Sequence, residues 1–379
     1  MRVDARTPLL GGLSPAQFMR RHWGRRPLLV RGAWPGLVPP LTRARLFALA
    51  ADADVESRFV RRQGRTWEVR HGPLPRRSLP PLSQPGWTVL VQGLDLHLDA
   101  ARALVEPFRF VPEARFDDLM ISWAAESGGV GPHVDAYDVF LLQVQGRRRW
   151  RVGRVADTTC VEGLPLRILR RFEPEHEWVL EPGDLLYLPP LWGHDGVAVG
   201  GACMGCSVGF RTPEAGALAG ELLQRLGDED EGARHYRDAG QEASRQPGLV
   251  PPALTAFARQ AVQRRLVEPG ALEQALGEVL TEPKPRVWFA PDAGSCPSLA
   301  AGVRLDRRSR MLYDDRHVFL NGESFRVAGR DARLMRRLAD ARALDAAACG
   351  KLSGQAQQLV LEWLADGWLQ AGVQVGDAG

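Results

Sequence analysis

The segment Gly131 to Val152, GPHVDAYDVFLLQVQGRRRWRV, constrains this chain more than any other. His133 and Asp135 stand two apart, and on a strand that spacing turns both side chains to one face. Asp138 to Gln145 is a strongly apolar run, as for a strand buried on both faces, and Gly146 ends it. In the following RRRWRV, Arg148, Trp150 and Val152 share one face, while Arg147, Arg149 and Arg151 share the other. Trp150 and Val152 mark the inner face, so Arg148 is aimed into a core. A buried guanidinium is costly unless a carboxylate answers it. That carboxylate belongs either to a bound ligand, held as a bidentate pair, or to a core Asp or Glu.

A second segment, Glu181 to Gly200, reads EPGDLLYLPPLWGHDGVAVG. Pro182-Gly183-Asp184 signals a turn and Leu185 to Leu188 a short strand. His194 follows in a Pro/Gly-bounded loop and opens the next apolar segment; standing alone, it would read rather as a hydrogen-bonded loop histidine. Brought together, His133, Asp135 and His194 would make the 2-His-1-carboxylate facial set, which holds non-haem Fe(II) and leaves three adjacent positions open.

These features in this order resemble the cupin-like JmjC hydroxylases, double-stranded β-helix enzymes that use Fe(II) and 2-oxoglutarate. GPHVDAYDVFLLQVQGRRRWRVG is similar to their bacterial ribosomal-oxygenase branch, as are SPAQFMRRHWGRRPLLVRGA near the N-terminus and, more loosely, the three-part layout of the chain. The resemblance implies that His133, Asp135 and His194 hold the iron and that Arg148 binds the distal carboxylate of 2-oxoglutarate. It implies an O2-dependent reaction that releases succinate and CO2 and hydroxylates an arginine, at C3, of large-subunit ribosomal protein L-sixteen. The arginine would enter beside Tyr137 and Met120, with its guanidinium on Asp118; Ser207 is a further candidate. One residue departs from the pattern. Ala124 stands where relatives carry a serine that assists 2-oxoglutarate, so Ser122 or Tyr137 takes over, or one hydrogen bond is missing. The alternatives are histidine hydroxylation of another ribosomal protein, more distantly demethylation, and, from a different class, a non-catalytic cupin/winged-helix binding protein.

A chain of 379 residues is too long for one ordinary core. The expected division is an α+β oxygenase domain over 1–212, a helical dimerisation region over 213–282 and a winged-helix-like domain over 283–379. Charged and hydrophobic fractions of 25% and 45% are those of a soluble globular protein. No apolar run is long enough to cross a bilayer, and MRVDARTPLLGGL lacks the apolar stretch of a secretory signal. The chain is therefore read as cytoplasmic. A formal charge of +4 does not demand nucleic acid, and no direct binding to it is expected. Five cysteines, Cys160, Cys203, Cys206, Cys296 and Cys349, are an odd number without an export signal, which argues against a disulfide framework. Cys203 and Cys206 form a CxxC inside an apolar run and read as core cysteines rather than a zinc or redox pair.

Taken in order, the pattern predicts helices over 15–22, 41–51 and 99–105, strands at 27–30, 59–69 (broken near Gly64) and 87–92, and the strand FDDLMISW from Phe116 to Trp123. In that strand Asp118, Met120 and Ser122 share a face; Asp118 there meets either a cationic side chain or solvent. Cys203 to Phe210 closes the barrel, with Ser207 placed to face the pocket. Three helices follow between Pro213 and Leu280. Two of them carry apolar stripes that must be buried against something: Leu218, Leu222, Leu223 and Leu226, then Leu254, Phe257, Ala258, Val262 and Leu266. Arg286 to Ala290 is strand-like, His317 to Val327 reads as a hairpin with an Asn-Gly turn, and helices and a last short strand complete the chain. The final long helix carries no basic residue in its middle, unlike a DNA-reading helix.

Overall fold

The computed structural model describes residues 2–228, 235–290 and 298–372; Cys296 lies outside them. The chain forms two compact units, Met1–Thr212 and Pro213–Gly379. In the first, Ser14 starts α1 (Pro15–Arg21) through a capping box, its hydroxyl accepting from the Gln17 N–H while the Gln17 side chain accepts from the Ser14 N–H. There follow β1 (Leu28–Val30), α2 (Arg43–Ala50) capped by Thr42, the hairpin β2 (Ser57–Gln63) and β3 (Thr66–His71), and β4 (Trp87–Val91). Two short helices, α3 (Leu94–His97) and α4 (Asp99–Val105), lead to β5 (Phe116–Ala124). The barrel strands are then β6 (Asp138–Gln145), β7 (Arg148–Arg154), β8 (His176–Leu180), β9 (Leu185–Leu188), β10 (Trp192–Ala198) and β11 (Cys203–Phe210).

Eight strands make one antiparallel sheet in the order β1-β9-β6-β11-β5-β4-β2-β3, and β10-β7-β8 make the other. Val139 and Leu141 of β6 meet Trp150, Val152, Leu180, Leu186 and Leu188 in a core shared by the two sheets. The alternate residues Phe140, Leu142 and Val144 pack on the other side with Phe18, Tyr187 and Phe210. Antiparallel sheets commonly leave one face wet. Here N-terminal helices cover that face, which is why β6 carries apolar residues on both of its faces. This is the double-stranded β-helix of the expected α+β fold.

His194 was expected in a loop but lies inside β10, paired with Val152 of β7. Gly193 and Gly196 read as breakers in the sequence. In the structure a Cβ on Gly193 would strike Phe172 and Val155, and one on Gly196 the Trp150 ring. Both glycines serve close packing within a strand.

The second unit opens with α5 (Ala215–Asp228), α6 (Pro252–Val267) and α7 (Ala271–Thr281). Leu222 and Leu226 of α5 pack against Ala271 and Ala275 of α7. The α6 stripe is different: α6 buries no residue, and Leu254, Val262 and Leu266 are 37%, 47% and 44% exposed. The remainder is β12 (Val303–Leu305), β13 (Met311–Tyr313), β14 (His317–Leu320), β15 (Glu323–Arg326), α8 (Gly329–Ala341), β16 (Ala343–Leu344), α9 (Ala346–Cys349), α10 (Gly354–Ala365) and β17 (Leu369–Ala371). Its core gathers Val303, Leu320, Met335, Leu338, Val360 and Trp363. Asn321 and Gly322 both take positive φ, 52° and 91°, as a two-residue type I′ hairpin turn requires. Arg286 to Ala290 is not a strand. Arg286 turns the chain at φ 68°, and the Trp288 carbonyl accepts from the Arg308 side chain instead of a strand neighbour. No helix among the described residues is long and apolar enough to cross a membrane.

Candidate metal centre

His133 and Asp135 lie on the β5–β6 connection rather than on a regular strand. One backbone bridge holds that connection to β10: His133 N–H donates to His194 O (3.0 Å), and His194 N–H to His133 O (2.9 Å). Leu191 N–H donates to Asp135 O (2.8 Å). The connection is thereby held against β10, and the two-residue spacing still brings both side chains together with His194. The potential ligand atoms of His133, Asp135 and His194 all lie within 4.8 Å of one another. Asp135 Oδ2 is 3.4 Å from His194 Nε2 and 3.8 Å from His133 Nε2. His133 Nδ1 lies 2.9 Å from Gly131 O, and His194 Nδ1 3.0 Å from Trp192 O. Those carbonyls take the Nδ1 protons, which leaves each Nε2 lone pair to point at the cluster. Burial, then His194, lower the His133 imidazole to about 4, so it is a neutral donor at pH 7. Burial pushes the Asp135 carboxyl up, but His194, His133 and Tyr137 outweigh it and hold the group below the usual carboxylate range. Two imidazole nitrogens and one carboxylate gathered in this way suit a divalent cation.

Arg148 is 8% exposed and faces into the barrel. Its Nη1 donates to Ser122 Oγ (2.9 Å) and its Nε to Cys203 Sγ (3.4 Å), while Nη2 is buried with no partner. Among the described residues no carboxylate pairs with it, so the core Asp or Glu that the sequence left open is not there. Ser122, rather than Tyr137, is the hydroxyl beside this arginine; Ala124 is buried with Ala198 and Cys203. Cys203 and Cys206 do not act as a pair. Cys203 touches the arginine, whereas Cys206 belongs to the core on the sheet's other side, where burial pushes its thiol up to about 12.

Tyr137 stands at the mouth of the cluster, 37% exposed. Burial, then the carboxylates of Asp135, Asp118 and Asp117, push its hydroxyl up, so these groups share one electrostatic neighbourhood. Asp118 is buried and accepts from Gly93 N–H (3.0 Å). Ser207 is the register partner of Met120 and Leu141, which puts it on the barrel's inner face beside Met120.

A JmjC domain model matches residues 103–218, and a ROXA-like winged helix model matches residues 261–370. The ribosomal protein uL16 3-hydroxylase of Escherichia coli is 35% identical over 276 residues, 72% of this chain and 73% of the relative. The chain belongs to the JmjC-domain ribosomal oxygenases. Ribosomal oxygenase 1 of Homo sapiens is 30% identical over 205 residues, covering 48% of this oxygenase and 30% of the human protein. The X-ray structure of E. coli ycfD covers 94% of this chain and 98% of its own, with a TM-score of 0.82 and 29% identity. A structure of YcfD in complex with cobalt and 2-oxoglutarate superposes at 0.78 with 30% identity, over 94% of this chain and 98% of that one.

Sequence reasoning missed two walls of the oxygenase's ligand loop. A Cβ on Gly131 would strike Trp67 of β3 and Ile168 of the β7–β8 connection, and Leu169 N–H donates to Pro132 O (2.8 Å). These contacts join segments far apart in the chain and leave no local pattern. Only the glycine at 131, two residues before a ligand, hinted at a close approach.

Proposed function

We propose that this chain hydroxylates an arginine side chain of ribosomal protein uL16, at C3, using Fe(II), 2-oxoglutarate and O2. His133, Asp135 and His194 would hold the iron. Arg148 with Ser122 would take the distal carboxylate of 2-oxoglutarate, and this unanswered guanidinium in the same barrel as the three ligands is the observation that carries the reading. Iron with 2-oxoglutarate and O2 supplies the oxidant for an unactivated C–H bond, one oxygen atom passing to the substrate and one to succinate as CO2 leaves. The chain's own work is to orient and to exclude water. Trp67 and Ile168 wall the ligand loop, and the apolar core around Leu141, Trp150 and Leu186 keeps the barrel dry. Tyr137 and Met120 would flank the entering side chain while Asp118 meets its guanidinium, an ion pair and ring contact that suit arginine better than a neutral imidazole. Ser207 would line the same face.

The proposed division is 1–212 for the oxygenase domain, 213–282 for a helical dimerisation region and 283–379 for the winged-helix domain. The exposed α6 stripe supports a homodimer. A protein rather than nucleic acid is the proposed partner, and α10 (GQAQQLVLEWLA) carries no basic residue. A ribosomal substrate supports a cytoplasmic location for the activity. Fe(II) titration with succinate detection tests the site: one equivalent of iron, and 2-oxoglutarate turnover abolished by His133→Ala, are expected. Absence of stoichiometric iron would turn the reading to a non-catalytic binding protein. Turnover with histidine-bearing ribosomal proteins alone would turn it to histidine hydroxylation.

A further inference from the structure

Thr88 sits on β4, two sheet positions from the strand that carries Cys203. Its side-chain oxygen is buried and has no hydrogen-bond partner, and the residue is 2% exposed. Leaving a buried hydroxyl unpaired is costly, so its retention calls for an explanation. Register supplies one. Thr88 is the direct partner of Ala124 on β5, and Ala124 is in turn the direct partner of Cys203 on β11. Residues directly opposite in an antiparallel ladder share a face, about 5 Å apart. Trp87, Val89 and Val91 turn to the large outer core. Thr88 therefore shares the inner face with Ala124, Cys203 and Ser122.

That row ends at the arginine. Cys203 Sγ contacts Arg148 Nε at 3.4 Å, Ser122 Oγ contacts Nη1 at 2.9 Å, and Ala198 is the register partner of Arg148 on β10. Around Ala124, then, lie a buried guanidinium nitrogen and a buried threonine hydroxyl, both without partners, among small side chains. Two orphaned donors on one inner face are what an absent anion would satisfy.

We propose that Thr88 is a cosubstrate-binding residue: its hydroxyl, with Arg148 and Ser122, donates to the distal carboxylate of 2-oxoglutarate, at a place where Ala124 offers no donor. The inference rests on the 2-oxoglutarate reading above. Its test is calorimetry on anaerobic Fe(II)-loaded protein with two probes: 2-oxoglutarate, and 2-oxopentanoate, which has the same 2-oxo acid head without the distal carboxylate. Thr88→Val is expected to bind 2-oxoglutarate about tenfold more weakly and 2-oxopentanoate as wild type does, while Thr88→Ser keeps wild-type affinity for both. The melting temperature of metal-free Thr88→Val is expected to be unchanged or higher, because removing an unpaired buried oxygen loses no hydrogen bond. Unchanged 2-oxoglutarate affinity in Thr88→Val overturns the inference, and so does an equal loss for both probes. Wild-type protein that binds no 2-oxoglutarate overturns the oxygenase reading and this inference with it.

Discussion

Two of the charged side chains buried in this chain, one in each unit, differ in their surroundings. Asp306, 1% exposed, accepts from Arg308 N–H (2.9 Å) and Nε (2.7 Å) on one oxygen, and from Arg308 Nη2 (3.1 Å) and Gln370 Nε2 (2.7 Å) on the other. Arg148, 8% exposed, has one hydroxyl, one thiol and an unpartnered nitrogen. The fold answers the first charge from its own chain and leaves the second open. A buried charge closed by its neighbours holds a domain together; one left open within a pocket is poised for a ligand.

Substitution separates the two cases. Arg148→Leu is expected to weaken 2-oxoglutarate binding about 100-fold, the loss of a bidentate charged pair, while the metal-free protein keeps its melting temperature. A large fall in stability would instead make Arg148 structural and break the contrast. Asp306→Asn is expected to do the reverse, costing about 2 kcal/mol in denaturant unfolding and leaving 2-oxoglutarate affinity untouched.

The contrast also has a pH signature. Burial pushes the Asp306 carboxyl up, but the hydrogen bonds and charge of Arg308 outweigh it and hold the group below the usual range. A carboxylate whose folded value is depressed stabilises the fold fully above the unfolded value, about 3.9, and that contribution is lost as pH falls through the lower folded value. Acid titrations of wild type and Asp306→Asn should therefore diverge above about pH 4 and converge below it.

Two smaller effects sharpen the picture. Asp118→Asn is expected to raise the KM for the protein substrate about tenfold with little change in 2-oxoglutarate affinity, read by steady-state kinetics with each varied in turn. Leu266→Glu on the exposed α6 stripe should change unfolding stability by less than about 0.5 kcal/mol yet shift light scattering from dimer to monomer. A wild-type monomer at micromolar concentration would remove the dimer proposal.

Much of this was legible in the sequence because it depended on short periods. The two-residue spacing of His133 and Asp135, the apolar run of β6 and the alternation that aims Arg148 inward all survive in the structure. What failed depended on neighbours. Gly193 and Gly196 read as loop signals until the Phe172 and Trp150 rings against them are seen. The α6 stripe was expected to be buried against something; Phe257 meets the Tyr236 ring, but Leu254, Val262 and Leu266 stay exposed. Whether Arg148 met a core carboxylate or a ligand was undecidable from the sequence, since the answer lies in which residues of β5 and β11 stand beside it. Thr88, an ordinary strand residue by composition, acquires meaning only through its register with Ala124.

The central claim is that this barrel delivers one oxygen atom to an arginine of uL16. The most direct test is intact-mass analysis of recombinant uL16 incubated with the protein, Fe(II) and 2-oxoglutarate, with His133→Ala as the control. The account predicts a gain of one oxygen atom, absent from the control and mapped by fragmentation to an arginine. No gain in uL16 while wild-type protein still turns over 2-oxoglutarate would contradict the substrate, and no turnover at all would contradict the oxygenase.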